Sequence, residues 1–284
     1  MPRTVYINGR YCAPEDATVS IFDRGLLFAD AIYEVAGVID GKLLDFASHM
    51  QRLDRSLVEM RMPAPLTHDE ILAVMRELVK RDQVEEGLVY MQISRGSTGD
   101  RDFLPPEGMK PTVFMFAQHK SDVTRQEFQN GIKMISAPDI RWGRRDIKTV
   151  QLLYPSMGKM MAKKAGVEDA WMVEDGFVTE GTSNNAYIVK DGKIVTRETS
   201  SDILHGITRK AVLELAREAQ MQVEERNFTI EEAQQADEAF VTSASAFVTP
   251  VVEIDGAKIG SGTPGKLAPR LREIYLEEMR KTAI

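Results

Sequence analysis

The sequence predicts an α+β fold in which antiparallel and mixed sheets are flanked by helices, and two observations lead to this prediction. Tight-turn dipeptides recur between segments rich in β-branched and aromatic residues, a pattern typical of β-hairpins. The dipeptides are Asn8-Gly9, Asp40-Gly41, Asp175-Gly176, Asp191-Gly192 and Asp255-Gly256. Between them, apolar residues recur at helical spacing, which indicates amphipathic helices.

Individual helices and strands are placed by the same signals. Helical spacing is clearest over 46–61, and Pro63 stops that helix because proline cannot continue it. A second helix is predicted from Thr67, since Glu70 three residues later resembles a capping box. Further helices are predicted over about 150–165, 206–220 and 265–281, and strands over 4–12, 88–94, 112–118, 132–137 and 239–242.

The helix over 150–165 has four apolar residues at helical spacing: Leu153, Met157, Met160 and Met161. We expect them to face the core and Gly166 to end the helix. Upstream, the chain turns polar over 118–122, which predicts a boundary between two domains. They are a smaller N-terminal α+β domain over 1–119 and a larger C-terminal domain over 120–284.

Composition argues against several classes of protein. The 284 residues carry a formal net charge of −7, which disfavours binding to a nucleic-acid backbone. The one cysteine, Cys12, excludes an intramolecular disulfide and a cysteine-based metal site, and it fits a reducing cytoplasm. The four histidines lack metal-ligand spacing, and no P-loop or Gly-x-Ser-x-Gly motif is present. We expect neither a secretion signal nor a membrane span.

The stretch 141–149 holds the first candidate for chemistry, Lys148. If this stretch ends an extended segment, Asp146, Lys148 and Val150 share one face. The neighbouring positive charges of Arg144 and Arg145 would disfavour the ammonium form of the lysine, and a neutral amine can attack an aldehyde. The alternative from this stretch alone is a solvated basic patch.

Other segments offer a carboxylate and several anion-binding groups. Glu180 follows a predicted hairpin, where it is either a functional acid or an exposed surface residue. Phosphate could be held by Ile207 and Thr208 at a helix start, by the turn Ser243-Ala244-Ser245, and by Arg52. The alternatives are an ordinary capping residue at Thr208, a plain turn, and a solvated helix arginine. The long loop 96–106, which contains Arg101, is typical of a functional loop.

Ordered motifs spread over nearly the whole chain resemble one family. They are Phe22-Asp23-Arg24-Gly25 with Tyr33-Glu34-Val35, His49-Met50-Gln51-Arg52-Leu53, Asp146-Ile147-Lys148, Glu180-Gly181-Thr182-Ser183-Asn184-Asn185, Leu204-His205-Gly206-Ile207-Thr208-Arg209, Thr242-Ser243-Ala244-Ser245 and Thr249-Pro250-Val251. This set resembles the fold-type IV enzymes that depend on pyridoxal 5'-phosphate, and among them the D-amino-acid aminotransferases. The resemblance implies a two-domain α+β fold whose larger domain binds the cofactor.

The resemblance also implies a role for each candidate residue. Lys148 would be the Schiff-base lysine and proton shuttle, and Glu180 would pair with the pyridine nitrogen. The phosphate would be held by Arg52, Ile207, Thr208, Ser243, Ala244 and Ser245. Leu204 would pack against the cofactor ring and Tyr33 would line the substrate pocket. In this family the loop 96–106 reaches the neighbouring subunit's site, which implies a homodimer.

The substrate loop departs from the family pattern. D-amino-acid aminotransferases often have an Arg-x-His pair there that binds the substrate carboxylate. This chain reads Arg101-Asp102-Phe103, so the histidine position holds a phenylalanine. The expected reaction transfers an amino group from a D-amino acid, such as D-alanine, to a 2-oxo acid, such as 2-oxoglutarate.

Several other functions remain open from the sequence. Within the family, they are an (R)-selective amine transaminase, a branched-chain L-amino-acid transaminase and an aminodeoxychorismate lyase. From a different class, the alternative is a non-catalytic protein that binds pyridoxal phosphate.

Overall fold

The computed structural model describes residues 3–120 and 126–284, and the chain forms two compact units. One unit comprises Met1–Asp122, Ile147–Gln151 and Met279–Ile284, and the other comprises Val123–Asp146 and Leu152–Glu278. The continuous domains 1–119 and 120–284 remain a prediction, because their boundary adjoins residues 121–125, outside the described part. The division also assigns the short segment that carries Lys148 to the first unit.

The described residues of the first unit form a six-stranded antiparallel sheet with the strand order β2-β1-β6-β5-β3-β4. Its strands are β1 (Val5–Ile7), β2 (Arg10–Cys12), β3 (Ala31–Ile39), β4 (Lys42–Leu43), β5 (Gly87–Ser94) and β6 (Thr112–His119). Three helices accompany the sheet: α1 (Arg24–Phe28), α2 (Phe46–Glu59) and α3 (His68–Arg81). The backbone of Ile284 exchanges two hydrogen bonds with Leu43 on the edge strand.

The second unit contains a nine-stranded mixed sheet within residues 126–278. Its strands are β7 (Ile132–Pro138), β8 (Asp169–Glu174), β9 (Phe177–Gly181), β10 (Asn185–Lys190), β11 (Lys193–Thr196), β12 (Gln222–Glu225), β13 (Glu238–Ser243), β14 (Phe247–Ile254) and β15 (Ala257–Lys258). The order is β12-β11-β10-β13-β14-β7-β8-β9, with β15 beside β14. The parallel pairs are β7–β8, β7–β14 and β11–β12. This architecture confirms the α+β class with antiparallel and mixed sheets.

The remaining helices are α4 (Gln126–Asn130), α5 (Leu153–Ala165), α6 (Ile207–Glu218), α7 (Ile230–Gln234) and α8 (Leu267–Thr282). The core of the second unit lies under its sheet and includes the fully buried Trp171, Phe228 and Ile254. The helices predicted over 46–61, 206–220 and 265–281 are confirmed to within about two residues, the usual uncertainty of helix ends.

All five predicted hairpin turns are confirmed. Each joins two paired strands through two residues, as in the pairing of Ile7 with Arg10 across Asn8-Gly9. The first turn residue has φ of 46–52° and the following glycine has φ of 69–92°. Type I′ turns require positive φ at both positions, and this explains why Asn-Gly and Asp-Gly predicted them.

The prediction for α5 is right in its extent and wrong in its orientation. Leu153 is 76% exposed and Met160 is 59% exposed, so the apolar stripe faces outward. The helix instead packs through small residues, and a Cβ added to its Gly158 would lie 2.9 Å from a methyl group of Thr182. This close approach of the backbone leaves the larger apolar side chains on the other face.

The helix α3 provides a test of the capping prediction. Thr67 Oγ1 accepts a hydrogen bond from the Glu70 N–H, and the Glu70 carboxylate accepts one from the Thr67 N–H at 2.7 Å. We expect Thr67→Ala to lower the free energy of unfolding by about 1 kcal/mol, because a helix donor loses its acceptor. Urea unfolding would measure the change. Thr67→Ser keeps the hydroxyl and should retain most of the stability, so an equal loss in both variants would contradict the capping role.

Candidate active site

Glu180 lies on β9 and is buried, so the alternative of an exposed surface glutamate is wrong. Its Oε1 accepts a hydrogen bond from Arg141 Nη1 at 2.7 Å. Its Oε2 accepts bonds from Asn185 Nδ2 and from the backbone N–H of Leu204, each at 3.0 Å. Burial raises the pKa of Glu180, and the charge of Arg141 opposes this shift. The carboxyl group is therefore held in a fixed position by three donors.

Arg141 bridges Glu180 and a second buried carboxylate, Asp139. Its Nε and Nη2 donate to the two oxygens of Asp139 at 2.9 and 2.6 Å, and Thr179 Oγ1 also donates to Asp139. Burial alone would raise the pKa of Asp139. The hydrogen bonds and the charge of Arg141 outweigh burial and hold this pKa below its usual value. Asp139 and Arg141 were not predicted as site residues, since nothing local in the sequence indicates which carboxylates the arginine meets.

Asn185 connects Glu180, near the end of β9, to the segment that begins α6. Its Nδ2 donates to the carbonyl of Leu204 at 3.0 Å as well as to Glu180. A Cβ on Gly206 would lie 2.1 Å from Asn185 Oδ1, so any larger residue here would have to displace the Asn185 amide. Across the sheet, Asn185 pairs with Thr242, the residue before Ser243. The topology thus brings the α6 start and the 243–245 turn next to the same strand.

The start of α6 suits an anion. The N-cap residue is Gly206, and no side chain caps the helix, so its first N–H groups are available to a ligand. Ile207 and Thr208 are the first two helical residues and are buried, so the alternative of Thr208 as an ordinary N-cap residue is wrong.

The turn after β13 is half-buried and supported by Arg272. The Ala246 N–H donates to Ser243 Oγ at 3.1 Å, which closes the turn. Arg272 Nη1 donates to the carbonyls of Ala246 and Val248 at 2.8 and 3.0 Å. Phe247 has φ of 55°, an unusual value for a bulky residue, and its ring is buried. The turn is therefore held in a defined conformation by the Ser243 hydroxyl and by Arg272.

Lys148 lies in the first unit beside Tyr33. The Tyr33 N–H donates to the Lys148 carbonyl at 2.9 Å, and Thr149 pairs with Ile32 on β3. The Lys148 Nζ lies 4.2 Å from the centre of the Tyr33 ring. The structure thus brings together the predicted lysine and the predicted substrate-pocket tyrosine.

One detail of the sequence-based reasoning for Lys148, the strand geometry, is wrong. Strand β7 ends at Pro138, and residues 139–148 contain no strand, so alternation along a strand does not place the lysine. The two neighbouring arginines are engaged by carboxylates: Arg144 pairs with Asp146 at 3.0 Å and Arg145 pairs with Glu174 at 2.7 Å. Side-chain ion pairs, rather than a sheet ladder, shape this segment.

Arg52 is buried on α2, so the alternative of a solvated helix arginine is wrong. Its Nε and Nη2 donate to the two oxygens of Glu34 at 2.8 and 2.7 Å. His49 Nδ1 lies 2.7 Å from Glu34 Oε2. Burial alone would raise the pKa of Glu34, but Arg52 and His49 lower it to about 2. Glu34 and His49 were missed as site residues, although the i,i+3 spacing of His49 and Arg52 places both on one helix face.

Arg101 and Phe103 lie in the exposed loop between β5 and β6. The Arg101 guanidinium carbon is 5.1 Å from the Phe28 ring centre and 5.0 Å from that of Phe103. Within the described chain, Arg101 forms no ion pair with Asp100 or Asp102, so neither neighbouring carboxylate occupies its guanidinium. Elsewhere among the described residues, no cluster of His, Cys, Asp or Glu could hold a metal ion, and no helix is long and apolar enough to cross a membrane.

Comparison with known proteins identifies the family. The model of the family described as "Amino-transferase class IV" matches residues 31–254. The chain belongs to the class IV aminotransferases. The D-alanine aminotransferase of Staphylococcus haemolyticus is 38% identical over 269 residues, 95% of each chain. That of Bacillus licheniformis is 39% identical over 284 residues, 98% of this chain and 99% of the other.

Solved structures of the same family share the fold. The branched-chain amino acid aminotransferase of Escherichia coli aligns with a TM-score of 0.90 and 25% identity, covering 98% of this chain and 95% of the other. A second branched-chain amino acid aminotransferase, solved with pyridoxamine 5'-phosphate, aligns with a TM-score of 0.90 and 27% identity, covering 98% and 94%. That of Thermobaculum terrenum aligns with a TM-score of 0.85 and 27% identity, covering 99% and 94%. These matches confirm the fold-type IV resemblance and the fold class, and the residue roles stay predictions.

The buried ion pair of Glu34 and Arg52 leads to the prediction that the stability of the protein depends on pH. Glu34→Gln should lower the free energy of unfolding by about 3–5 kcal/mol near neutral pH, because it removes one partner of a buried ion pair. The pKa of Glu34 is lowered from 4.5 to about 2, so its contribution is complete above pH 4.5 and is lost as the pH falls towards 2. The stability gap between wild type and variant should therefore shrink on acidification, as measured by urea unfolding at several pH values. The exposed Glu107→Gln should show no such gap, and a gap that stays constant with pH would contradict the ion-pair role.

The contact between Arg141 and Glu180 leads to a prediction about the protonation state of Glu180. Without its cation, burial should dominate and Arg141→Met should leave Glu180 protonated at neutral pH. Infrared difference spectra against wild type should show a protonated carboxyl band that disappears in Arg141→Met/Glu180→Gln. Arg144→Met, which removes an arginine from the same segment, serves as the control. If Arg141→Met gives no new carboxyl band, Arg141 does not control the ionisation of Glu180.

Proposed function

We propose that this protein is a pyridoxal-phosphate-dependent aminotransferase that moves an amino group from a D-amino acid, such as D-alanine, to a 2-oxo acid, such as 2-oxoglutarate. The observation that carries the proposal is the buried Glu180 carboxylate with its fixed donors, on a chain whose match to curated D-alanine aminotransferases covers 95% or more of its length. A structural role alone would not require a carboxylate between Arg141 and Asn185 beside a helix start with no side-chain cap.

The residues present fit pyridoxal phosphate. A lysine suits the aldehyde, a buried carboxylate suits the ring nitrogen, and the N-terminus of α6 with the 243–245 turn suits the phosphate. When bound, this cofactor supplies an aldehyde that joins covalently to amines and a ring that withdraws electrons from the bond to be broken.

We assign the protein groups as follows. Lys148 Nζ would hold the cofactor and would move the proton at the substrate Cα. Glu180 would keep the proton on the ring nitrogen, and Leu204 would pack against the ring. The phosphate would be bound by the α6 start, by Ser243, Ala244 and Ser245, and by Arg52, whose orientation Glu34 fixes.

Substrate selection is assigned to Tyr33 and to the loop that carries Arg101. A guanidinium offers a planar pair of donors that matches a carboxylate. Phe103 occupies the position of the family's histidine and cannot donate, so Arg101 is the main anchor in this loop. The Arg101 guanidinium lies about 5 Å from both ring centres, and these rings accept none of its N–H groups as a carboxylate would.

One alternative function has a specific observation in its favour. The solved structures compared above are branched-chain aminotransferases, at 25–27% identity. The D-alanine aminotransferases are more similar in sequence, at 38–39% identity. We therefore favour a D-amino acid as the amino donor.

We propose that the enzyme is a homodimer in which the loop 96–106 reaches the neighbouring active site. Two exposed apolar regions support this. One is the outward stripe of α5, and the other is the loop tip, where Phe103 is 72% and Leu104 is 79% exposed. Apolar patches of this kind typically mark protein interfaces. A cytoplasmic location is proposed because the chain has a single cysteine, Cys12, and needs no disulfide.

The proposal predicts a defined label and a defined spectral change. Borohydride reduction of the yellow holoenzyme, followed by peptide mapping, should place the pyridoxyl group on Lys148. D-alanine should convert the spectrum to that of the pyridoxamine form, because the amino group is transferred to the cofactor. L-leucine and a carboxylate-free (R)-amine are the comparison substrates.

Each outcome decides between the candidate functions. A label on another lysine would contradict the role of Lys148. Conversion by L-leucine but not by D-alanine would favour the branched-chain alternative, and preference for the (R)-amine would favour an amine transaminase. A protein that binds the cofactor and converts with none of them would be a non-catalytic binder.

A further inference from the structure

Arg24 is a buried arginine that has no role in the function proposed above. Each of its three guanidinium nitrogens donates a hydrogen bond. Its Nε donates to Asp30 Oδ2 at 2.9 Å. Its Nη1 donates to the carbonyl of Asp102 at 2.5 Å and its Nη2 to the carbonyl of Phe103 at 3.0 Å. One rigid guanidinium therefore connects α1 to two consecutive peptide groups of the loop.

Asp30 is held in place independently of Arg24. Arg95 donates to both of its oxygens, at 2.7 Å from Nε and 3.0 Å from Nη2. Arg95 also donates to the carbonyls of Met60 and Arg61 at the end of α2. The carboxylate that orients Arg24 is thus part of a fixed framework, and it keeps a partner if Arg24 is replaced.

The same region fixes the side chain of Arg101. The Phe28 and Phe103 ring centres are 5.3 Å apart, and the Arg101 guanidinium lies about equally far from both. The Arg24 guanidinium carbon lies 4.6 Å from the Phe28 ring centre. Phe28 therefore contacts both arginines, and Phe103 contributes a stacking surface where the family often has a hydrogen-bonding histidine.

We infer that Arg24 is a positioning residue for Arg101, because it clamps the two carbonyls that directly follow Arg101 and so fixes the substrate-binding loop. The inference rests on the proposed function of Arg101 as the carboxylate anchor. An anchor that is already ordered loses less conformational entropy when substrate binds. The clamp compensates for the absent histidine by holding the remaining donor in place rather than by adding a second one.

The first test measures the loop itself by limited trypsin digestion of the holoenzyme, scored at the bond after Arg101. Arg24→Met removes both loop hydrogen bonds, so cleavage there should be about tenfold faster or more. Arg24→Lys keeps the charge beside Asp30 but lacks the planar fork, and should be intermediate. Arg81→Met, which removes an exposed arginine stacked 4.3 Å from the Tyr11 ring centre, should match wild type.

The second test separates binding from chemistry. With D-alanine, Arg24→Met should raise KM about tenfold with a smaller effect on kcat, and should leave the reaction of a carboxylate-free (R)-amine nearly unchanged. Arg101→Ala should show the same pattern more strongly. Phe103→Ala keeps the backbone carbonyl, so it should raise KM with little change in cleavage after Arg101.

The outcomes distinguish the inference from the proposed function. If Arg24→Met and Arg24→Lys leave both cleavage and KM at wild-type values, the clamp does not position Arg101. The inference also fails if kcat falls equally for D-alanine and the amine. If Arg24→Met does not fold, Arg24→Lys decides by the same criteria. If wild type reacts with no D-amino acid, the proposed function fails, and the inference about Arg101 fails with it even where the cleavage data support the clamp.

Discussion

Burial of carboxylates beside fixed guanidinium groups is the constraint on which both units of this structure depend. A carboxylate removed from water is costly unless a cation and hydrogen bonds replace its solvation. Glu180 has Arg141, Glu34 has Arg52, and Asp30 has Arg24 and Arg95. In each case the arginine makes two or more directional bonds, so satisfying the charge also fixes the geometry of the surrounding segment.

This arrangement explains how segments with little regular structure are held in a defined conformation. The stretch 139–146 lacks a strand and a helix, yet Arg141 connects it to Glu180 and Arg145 connects it to Glu174. The loop after β5 is exposed, yet Arg24 clamps its backbone. Buried ion pairs of this kind are weak contributors to net stability compared with apolar packing, so their use here is better explained by the need for one defined geometry.

How far the sequence predicts the structure depends on whether a feature is local. Asp40-Gly41 and the other turn dipeptides carry their own φ requirement, and the Thr67–Glu70 cap is formed within one turn, so both were predicted correctly. The contacts of Arg141 with Glu180 and of Arg52 with Glu34 join residues far apart in the sequence, and the sequence does not show that these residues meet. The motifs that resemble the family predict roles for Lys148 and Glu180 as a set, and these roles stay predictions, whereas the expectation of a strand at Lys148 is wrong.

The helix α5 shows the same limit in its packing. Helical periodicity of Leu153, Met157, Met160 and Met161 predicts that one apolar face is covered, and it does not specify what covers it. Within this chain the closest packing belongs to Pro155, Gly158 and Ala162, because small side chains let the backbone approach the sheet. The larger side chains are left exposed on a single chain, which is the composition expected for a surface that a second copy covers. The incorrect inward prediction and the proposed homodimer therefore both rest on this exposed apolar stripe.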